Sequence, residues 1–200
     1  MFISFDGIDG TGKTTQIALL VKWLAARGNE VVQCVDPGST PLGEAVRAIL
    51  LDRHDLAIDR TSEMFLFMAA RAQLVAEVIR PALAAGKTVV SDRFLLANVV
   101  YQGHAGGLDP ALLWQIGEVA TGGLTPDVTL LLDLPVAAAD ARINRQRDRM
   151  ENRGVEYRER LRAGFLLEAQ RRQEIAVIDA GQSVEAVHAA IVTAISARAL

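Results

Sequence analysis

Residues Gly7-Ile8-Asp9-Gly10-Thr11-Gly12-Lys13-Thr14 follow the spacing G-x-x-x-x-G-K-[ST]. Loops of this type hold phosphate. The glycines let backbone N–H groups point inward at phosphate oxygens, Lys13 can reach the β- and γ-phosphates, and the Thr14 hydroxyl can ligate Mg²⁺. The helix that begins around Thr14-Thr15 adds the positive end of its dipole. An apolar run, Phe2-Ile3-Ser4-Phe5, precedes the loop, and a helical pattern follows from Gln16 to Arg27. That is the strand–loop–helix setting the chemistry requires.

A second pair of charges emerges from Val89-Val90-Ser91-Asp92-Arg93-Phe94. Asp92 is placed to hold Mg²⁺, directly or through water. Arg93 is placed to grip a phosphate with its planar fork, and a structural Asp–Arg turn is the competing reading. Phe67 and Arg71 are four apart in a helical stretch and share one face. They could stack a base and contact its edge or its phosphate; on periodicity alone a core Phe67 beside a solvated Arg71 is the favoured reading.

Between residues 140 and 162 eight arginines stand against five acids, with Arg142, Arg145, Arg149 and Arg153 at helical spacing and Arg147 beside them. Phosphoryl transfer needs charge stabilisation of the moving group, and the loop at Asp9-Gly10-Thr11 offers no arginine. A mobile lid over about 140–156 is one source. A solvated helix laced with salt bridges to Asp148, Glu151 and Glu156 is the other. Asp36-Pro37-Gly38-Ser39-Thr40 forms a tight turn at the end of an apolar run. Tyr101-Gln102-Gly103 lies nine residues beyond Asp92, and its spacing alone assigns it no chemistry.

The elements that must position these residues alternate. Expected strands are Phe2–Phe5, Glu30–Val35, Lys87–Ser91, Val128–Asp133 and Ile175–Ile178. Each is short and rich in Val, Ile or Leu, as buried parallel strands are. Expected helices are Thr14–Arg27, Pro41–Leu51, Thr61–Ala85, Pro110–Thr121, Val136–Gln173 and Ser183–Ala199. Gly28 and Gly86 each sit where a C-terminal cap belongs. The alternation predicts an α/β fold of three layers, a parallel sheet with helices on both faces. Ligands of such sheets bind beyond the carboxyl ends of the strands, where most of the residues above fall.

The chain has 200 residues, enough for one domain spanning 1–200. Its net charge of −3 argues against a nucleic-acid or anionic-membrane partner. No apolar run is long enough to span a bilayer, and the N-terminus lacks the basic segment and cleavage site of a signal peptide. A lone Cys34 in an apolar run reads as a core thiol, and the whole fits the cytoplasm. His54, His104 and His188 show no metal-ligand spacing.

Taken together, GIDGTGKTT, DPGST, FLFMAAR, SDRF, NVVYQG and the arginine-rich segment resemble thymidylate kinase of the bacterial type, from Met1 to about Val187. The resemblance implies a P-loop nucleoside monophosphate kinase with a parallel sheet, a homodimer, and the reaction of ATP with dTMP to give ADP and dTDP with Mg²⁺. It assigns the ATP phosphates to Gly7, Ile8, Asp9, Gly10, Thr11, Gly12, Lys13, Thr14 and Thr15, and the metal to Thr14 and Asp92. Asp9 faces the dTMP sugar and phosphate, Phe67 stacks on thymine, Arg71 contacts its edge and Arg93 holds the acceptor phosphate. Asn98 lies where some relatives contact the base, and Tyr101 sits against the deoxyribose with Gln102 beside it. By the same resemblance Asp36 and Pro37 would border the acceptor, and Arg142 would lie against adenine. Arg145, Arg147 and Arg149 fall in the lid as candidate catalytic arginines.

The family's usual Arg-Glu-Pro-Gly-Gly-Thr reads Val35-Asp36-Pro37-Gly38-Ser39-Thr40 here, and a usual serine is Ala97. These changes keep an alternative open: a P-loop kinase for another (deoxy)nucleotide or deoxynucleoside. A nucleotide-dependent switch is a more distant reading, weakened by the lack of an Asn-Lys-x-Asp signature.

Overall fold

The computed structural model describes residues 1–53, 55–143 and 154–198. Five parallel strands form one sheet: β1 (Phe2–Asp6), β2 (Val31–Val35), β3 (Thr88–Asp92), β4 (Val128–Asp133) and β5 (Ile175–Asp179). Their order is β2-β3-β1-β4-β5, so β1 is central. β1 leads to one side of the sheet and β3 to the other, which opens a crevice at their carboxyl ends. Register places Phe5 opposite Asp92 and Val35 opposite Asp92, so the ends of β1, β2 and β3 lie side by side.

The helices are α1 (Lys13–Ala25), α2 (Pro41–Leu51), α3 (Arg60–Leu74), α4 (Arg80–Ala84), α5 (Leu95–Asn98), α6 (Pro110–Thr121), α7 (Val136–Ala141), α8 (Val155–Arg171) and α9 (Val184–Ser196). Side-chain caps define several starts. Thr40 accepts from the Gly43 N–H at 2.9 Å, Asp59 from Thr61 at 2.8 Å and Ser183 from Ala186 at 3.2 Å. Gly28 and Gly86 take positive φ, 83° and 74°, as expected of cap glycines. Ile17, Leu20 and Leu24 of α1 share a core cluster with Leu130 of β4 and Ile191 of α9. Met64, Met68 and Leu74 of α3 share another with Phe2, Val89 and Phe94. Cys34 is buried there, as expected, and burial pushes its thiol up to about 11.

Two expectations need correction. The helix expected over Thr61–Ala85 contains a π-helical turn at Val75–Ile79 between α3 and α4. Pro81 lacks an N–H and would drive its ring at the Glu77 carbonyl of a regular helix; the wider turn relieves that conflict. The continuous helix expected over Val136–Gln173 is also broken. α7 stops at Ala141, and α8 begins only after Gly154, whose φ of 86° and ψ of 171° no helix accommodates. α5 and the π-helical turn Val99–His104 that prolongs it are helical where no helix is expected from the sequence.

Candidate functional site

The P-loop leaves the end of β1 and turns into α1. At Gly7, φ is 131° and a Cβ would overlap the Leu132 carbonyl oxygen; at Gly10, φ is 90° and a Cβ would overlap the Ala139 backbone of α7. Only glycine fits either position. Thr11 closes the loop by donating to the Ile8 carbonyl at 3.0 Å. Lys13 donates to the carbonyls of Gly7 at 3.0 Å and Ile8 at 3.1 Å and lies 3.6 Å from Asp9 Oδ1. Burial and the Arg93 charge hold the Lys13 amine below its ordinary range, against the pull of Asp9. The Ile8 side chain is in the core, so only its backbone can serve the loop.

Arg93 leaves the end of β3 with a φ of 69°, a left-handed conformation in a non-glycine residue. Its backbone N–H donates to the Phe5 carbonyl at 2.9 Å. Its guanidinium donates to Asp9 Oδ1 at 2.7 Å, to the Gly7 carbonyl at 3.2 Å and to the Tyr101 hydroxyl at 3.1 Å. That hydroxyl in turn donates to Asp9 Oδ2 at 3.2 Å. Burial works against the Arg93 charge, but the Tyr101 oxygen and the carboxylates of Asp9, Asp6 and Asp92 more than offset it. Burial likewise keeps the Tyr101 phenol well above its usual range. Asp6, at the end of β1, is fully buried 3.8 Å from Arg93, and burial lifts its carboxyl to about 7.

A second cluster lies beyond β2 and β3. Arg71 is 1% exposed, and its Nε donates to Asp36 Oδ2 at 2.6 Å. Its other nitrogens donate to Asn98 Oδ1 at 3.0 Å, to Met68 Sδ at 3.2 Å and to the Phe94 carbonyl at 3.3 Å. Asn98 Nδ2 donates to Gln102 Oε1 at 2.7 Å, and Gln102 Nε2 to Glu63 Oε1 at 2.9 Å. Burial raises the Asp36 carboxyl above the ordinary range, while Arg71 pulls it down. The alternative of a solvated Arg71 is therefore overturned. Phe67 is half-buried on the same face.

Both clusters open onto one cavity of about 1010 Å³. Its walls include the P-loop from Asp9 to Thr15, then Asp92 and Arg93. One end is bounded by Val35, Asp36, Pro37, Phe67, Arg71, Ala97, Asn98, Tyr101 and Gln102. The other carries Arg142, which donates to the Ala180 carbonyl at 3.1 Å, together with Gln182 and Val184. Thr14 and Asp92 bring two hard oxygen donors to this cavity, a set suited to Mg²⁺ that retains water and phosphate ligands. Among the described residues no group of three or more His, Cys, Asp or Glu could enclose a metal. Arg145, Arg147, Arg149 and Arg153 lie outside the described residues, as do Asp148, Glu151 and His54.

Several residues of this site escaped the sequence reading. Glu63 is 1% exposed, and its spacing from Phe67 and Arg71 in steps of four was the available signal. Asn98, Tyr101 and Gln102, which the family resemblance singled out but their own spacing did not, stand three and four apart on a helical segment that was not expected. Arg158 of α8 is buried, pairs with Asp140 and donates to the Asp9 carbonyl at 3.0 Å. Arg162 forks onto Asp133 at 2.8 and 2.9 Å. These two arginines thus tie α8 to α7, the P-loop and β4.

The comparisons fit this geometry. Residues 5–191 match the sequence pattern of a family described as thymidylate kinase. The chain belongs to the thymidylate kinase family. It is 50% identical over 186 residues to thymidylate kinase of Rhodopirellula baltica, covering 92% of this chain and 76% of that one. With thymidylate kinase of Geotalea uraniireducens it shares 43% identity over 98% of this chain and 97% of the relative. The crystal structure of thymidylate kinase from Ehrlichia chaffeensis superposes with a TM-score of 0.79 at 31% identity, covering 98% of both chains. The fold is accordingly the P-loop kinase fold of that family. No helix among the described residues is long and apolar enough to cross a membrane.

Proposed function

We propose that this chain transfers the γ-phosphoryl group of ATP to the phosphate of dTMP, a step toward dTTP. The observation that carries this reading is the single cavity joining the P-loop to the Phe67–Arg71 end, with Arg93 and Asp9 at the junction. A phosphate acceptor already has a nucleophilic oxygen, so positioning and charge stabilisation supply the catalysis.

The loop amides from Gly10 to Thr15 and the Lys13 ammonium hold the ATP phosphates. Lys13 exchanges its bonds to loop carbonyls for phosphate oxygens, a better match for its charge. Arg93 holds the acceptor phosphate, oriented by Asp9 and Tyr101. Phe67 stacks on thymine, Arg71, Asn98 and Gln102 face its edge, and the Tyr101 ring sits against the deoxyribose. Asp36 and Pro37 border the acceptor, and Asp36 also holds Arg71 in place. Arg142 borders adenine. Thr14 and Asp92 would hold Mg²⁺, which when bound neutralises charge on the phosphate oxygens. The further positive charge that the moving group needs is assigned to one or more of Arg145, Arg147 and Arg149, the candidate catalytic arginines.

Phe65 of α3 and Leu112 and Val119 of α6 are exposed apolar side chains on two helices that pack together, which supports the homodimer. The buried free thiol of Cys34 suits the reducing cytoplasm. The test is ADP production from ATP·Mg²⁺ with dTMP, dUMP, dCMP, UMP, CMP, AMP, GMP, thymidine or no acceptor. Strong turnover with dTMP is expected. Preference for another acceptor overturns the substrate, and turnover independent of any acceptor overturns the kinase reading.

A further inference from the structure

The hydrogen-bonded chain Glu63–Gln102–Asn98–Arg71 has a direction, set from its two ends by Glu63 and Arg71. A carboxylate only accepts hydrogen bonds, so the Gln102 amide must turn its NH₂ to Glu63, 2.9 Å away. Gln102 Oε1 then faces Asn98 and accepts from Asn98 Nδ2 at 2.7 Å. That in turn leaves Asn98 Oδ1 to face Arg71, whose guanidinium only donates, at 3.0 Å. An acid at one end and an arginine at the other thus agree on one orientation for both amides. Reversing either amide would set donor against donor. All four side chains are buried, Glu63 and Arg71 at 1% exposure and Asn98 and Gln102 at 2%, so no solvent is at hand to relieve a reversal. Asn98, Gln102 and Arg71 line the cavity, and Glu63 stands behind them.

We infer that Glu63 is a positioning residue for base selection: it locks the Gln102 and Asn98 amides so that the cavity presents carbonyl acceptors beside the Arg71 donor. Each amide oxygen keeps a second lone pair. A pyrimidine that carries an N3–H and a C4 carbonyl, thymine or uracil, matches acceptors beside a donor. Cytosine has an unprotonated N3 and an exocyclic amine and offers the reverse pattern. The lock therefore discriminates against cytosine and leaves the choice between thymine and uracil to other contacts. The inference rests on the dTMP reading above.

The experiment is steady-state kinetics of the wild type and Glu63→Gln with dTMP and dCMP, with thermal melts of both. The substituted amide can donate as well as accept, so it releases the Gln102 end of the chain while keeping the shape. In the variant, the KM for dTMP should rise about tenfold, and the preference for dTMP over dCMP in kcat/KM should fall by about tenfold, the scale of one lost hydrogen-bond preference. The KM for ATP and kcat at saturating dTMP should stay within about twofold. The reversed pair, Glu63→Gln with Gln102→Glu, restores an acceptor facing Asn98 and should recover much of the preference. An unchanged preference in Glu63→Gln overturns the inference. So does a loss spread equally over both substrates and kcat, which marks a purely structural role. If Glu63→Gln does not fold, the reversed pair decides by the same preference. Absence of wild-type turnover with dTMP overturns the kinase reading itself, which separates the two failures.

Discussion

At the scale of single residues, the site works by pairing charges that would be intolerable alone. Arg93 is the clearest case. Its left-handed backbone and three polar partners fix the guanidinium at the meeting point of the P-loop and the acceptor end. Arg93→Ala should lower kcat at least a hundredfold, about 3 kcal/mol of charge stabilisation, while ATP affinity by equilibrium titration changes little. An unchanged kcat would remove Arg93 from the acceptor site. Asp36 and Arg71 make a second case, because both are almost fully buried. Asp36→Ala leaves a buried cation without its carboxylate, and urea titration should show a loss of about 3–5 kcal/mol. A loss below about 1 kcal/mol would mean that Asn98 and the Phe94 carbonyl suffice to hold Arg71. The spacing of Phe67 and Arg71 made their shared face legible from sequence. The Asp36 partner was not legible, because no local period connects residues 35 positions apart. Ser39 shows the same limit. It takes a φ of 61°, and its Oγ accepts from the Val35 N–H at 2.9 Å, a local bond that favours this left-handed conformation in a residue other than glycine.

At the scale of elements, irregular turns matter as much as regular ones. The expected elements were those with clean apolar runs or caps: all five strands and the capped helices α2, α6 and α9. The misses were helices that break regularity. The segment from Leu95 to His104 carries β-branched Val99 and Val100 and a glycine, all poor helix formers, yet tertiary packing holds it helical. That packing is what aims Asn98, Tyr101 and Gln102 at one cavity. The P-loop offers a sharper test of how elements meet. Gly10 touches the backbone of α7, whereas a Cβ on Gly12 would meet open space, although both have positive φ, 90° and 92°. Both alanine variants carry backbone strain of about 1 kcal/mol or more. Only Gly10→Ala must also push α7 away. Denaturant titration without nucleotide should therefore find Gly10→Ala the less stable, by about 1–3 kcal/mol. Equal losses would mean that α7 yields freely, and that the contact between loop and α7 carries little.

At the scale of the whole molecule, the parallel sheet followed from the alternation of strands and helices, but the order β2-β3-β1-β4-β5 did not. Order is decided by which apolar faces meet across the fold, and that information is spread over the chain. A consequence is that β1, entirely buried, ends in a carboxylate: Asp6 lies beneath the site with neither oxygen hydrogen-bonded. Arg93, Lys13 and Arg71 face it as cations and Asp92 as a second acid, and burial outweighs them to lift its carboxyl from 3.8 to about 7. The effect on stability runs opposite to that of a salt-bridged acid. Below about pH 4 the group is protonated in both the folded and unfolded chain and contributes nothing. Between about pH 4 and 7 the folded protein keeps a proton that the unfolded chain releases, so stability falls as pH rises. Above about pH 7 the charge is buried in full, at a cost on the order of a few kcal/mol. Asp36, also raised by burial, acts in the same sense. Exposed Asp59, Asp179 and Glu185 are lowered instead, and their contribution is lost only as pH falls below the ordinary carboxylate range. Asp6→Asn removes the buried charge and keeps the shape. Thermal melts of the protein without nucleotide should find the variant close to wild type near about pH 4 and more stable near about pH 8, with the gap opening between. Parallel curves across that range would show that Arg93 and Lys13 already neutralise Asp6, and that its charge is a settled part of the P-loop rather than a strain beneath it.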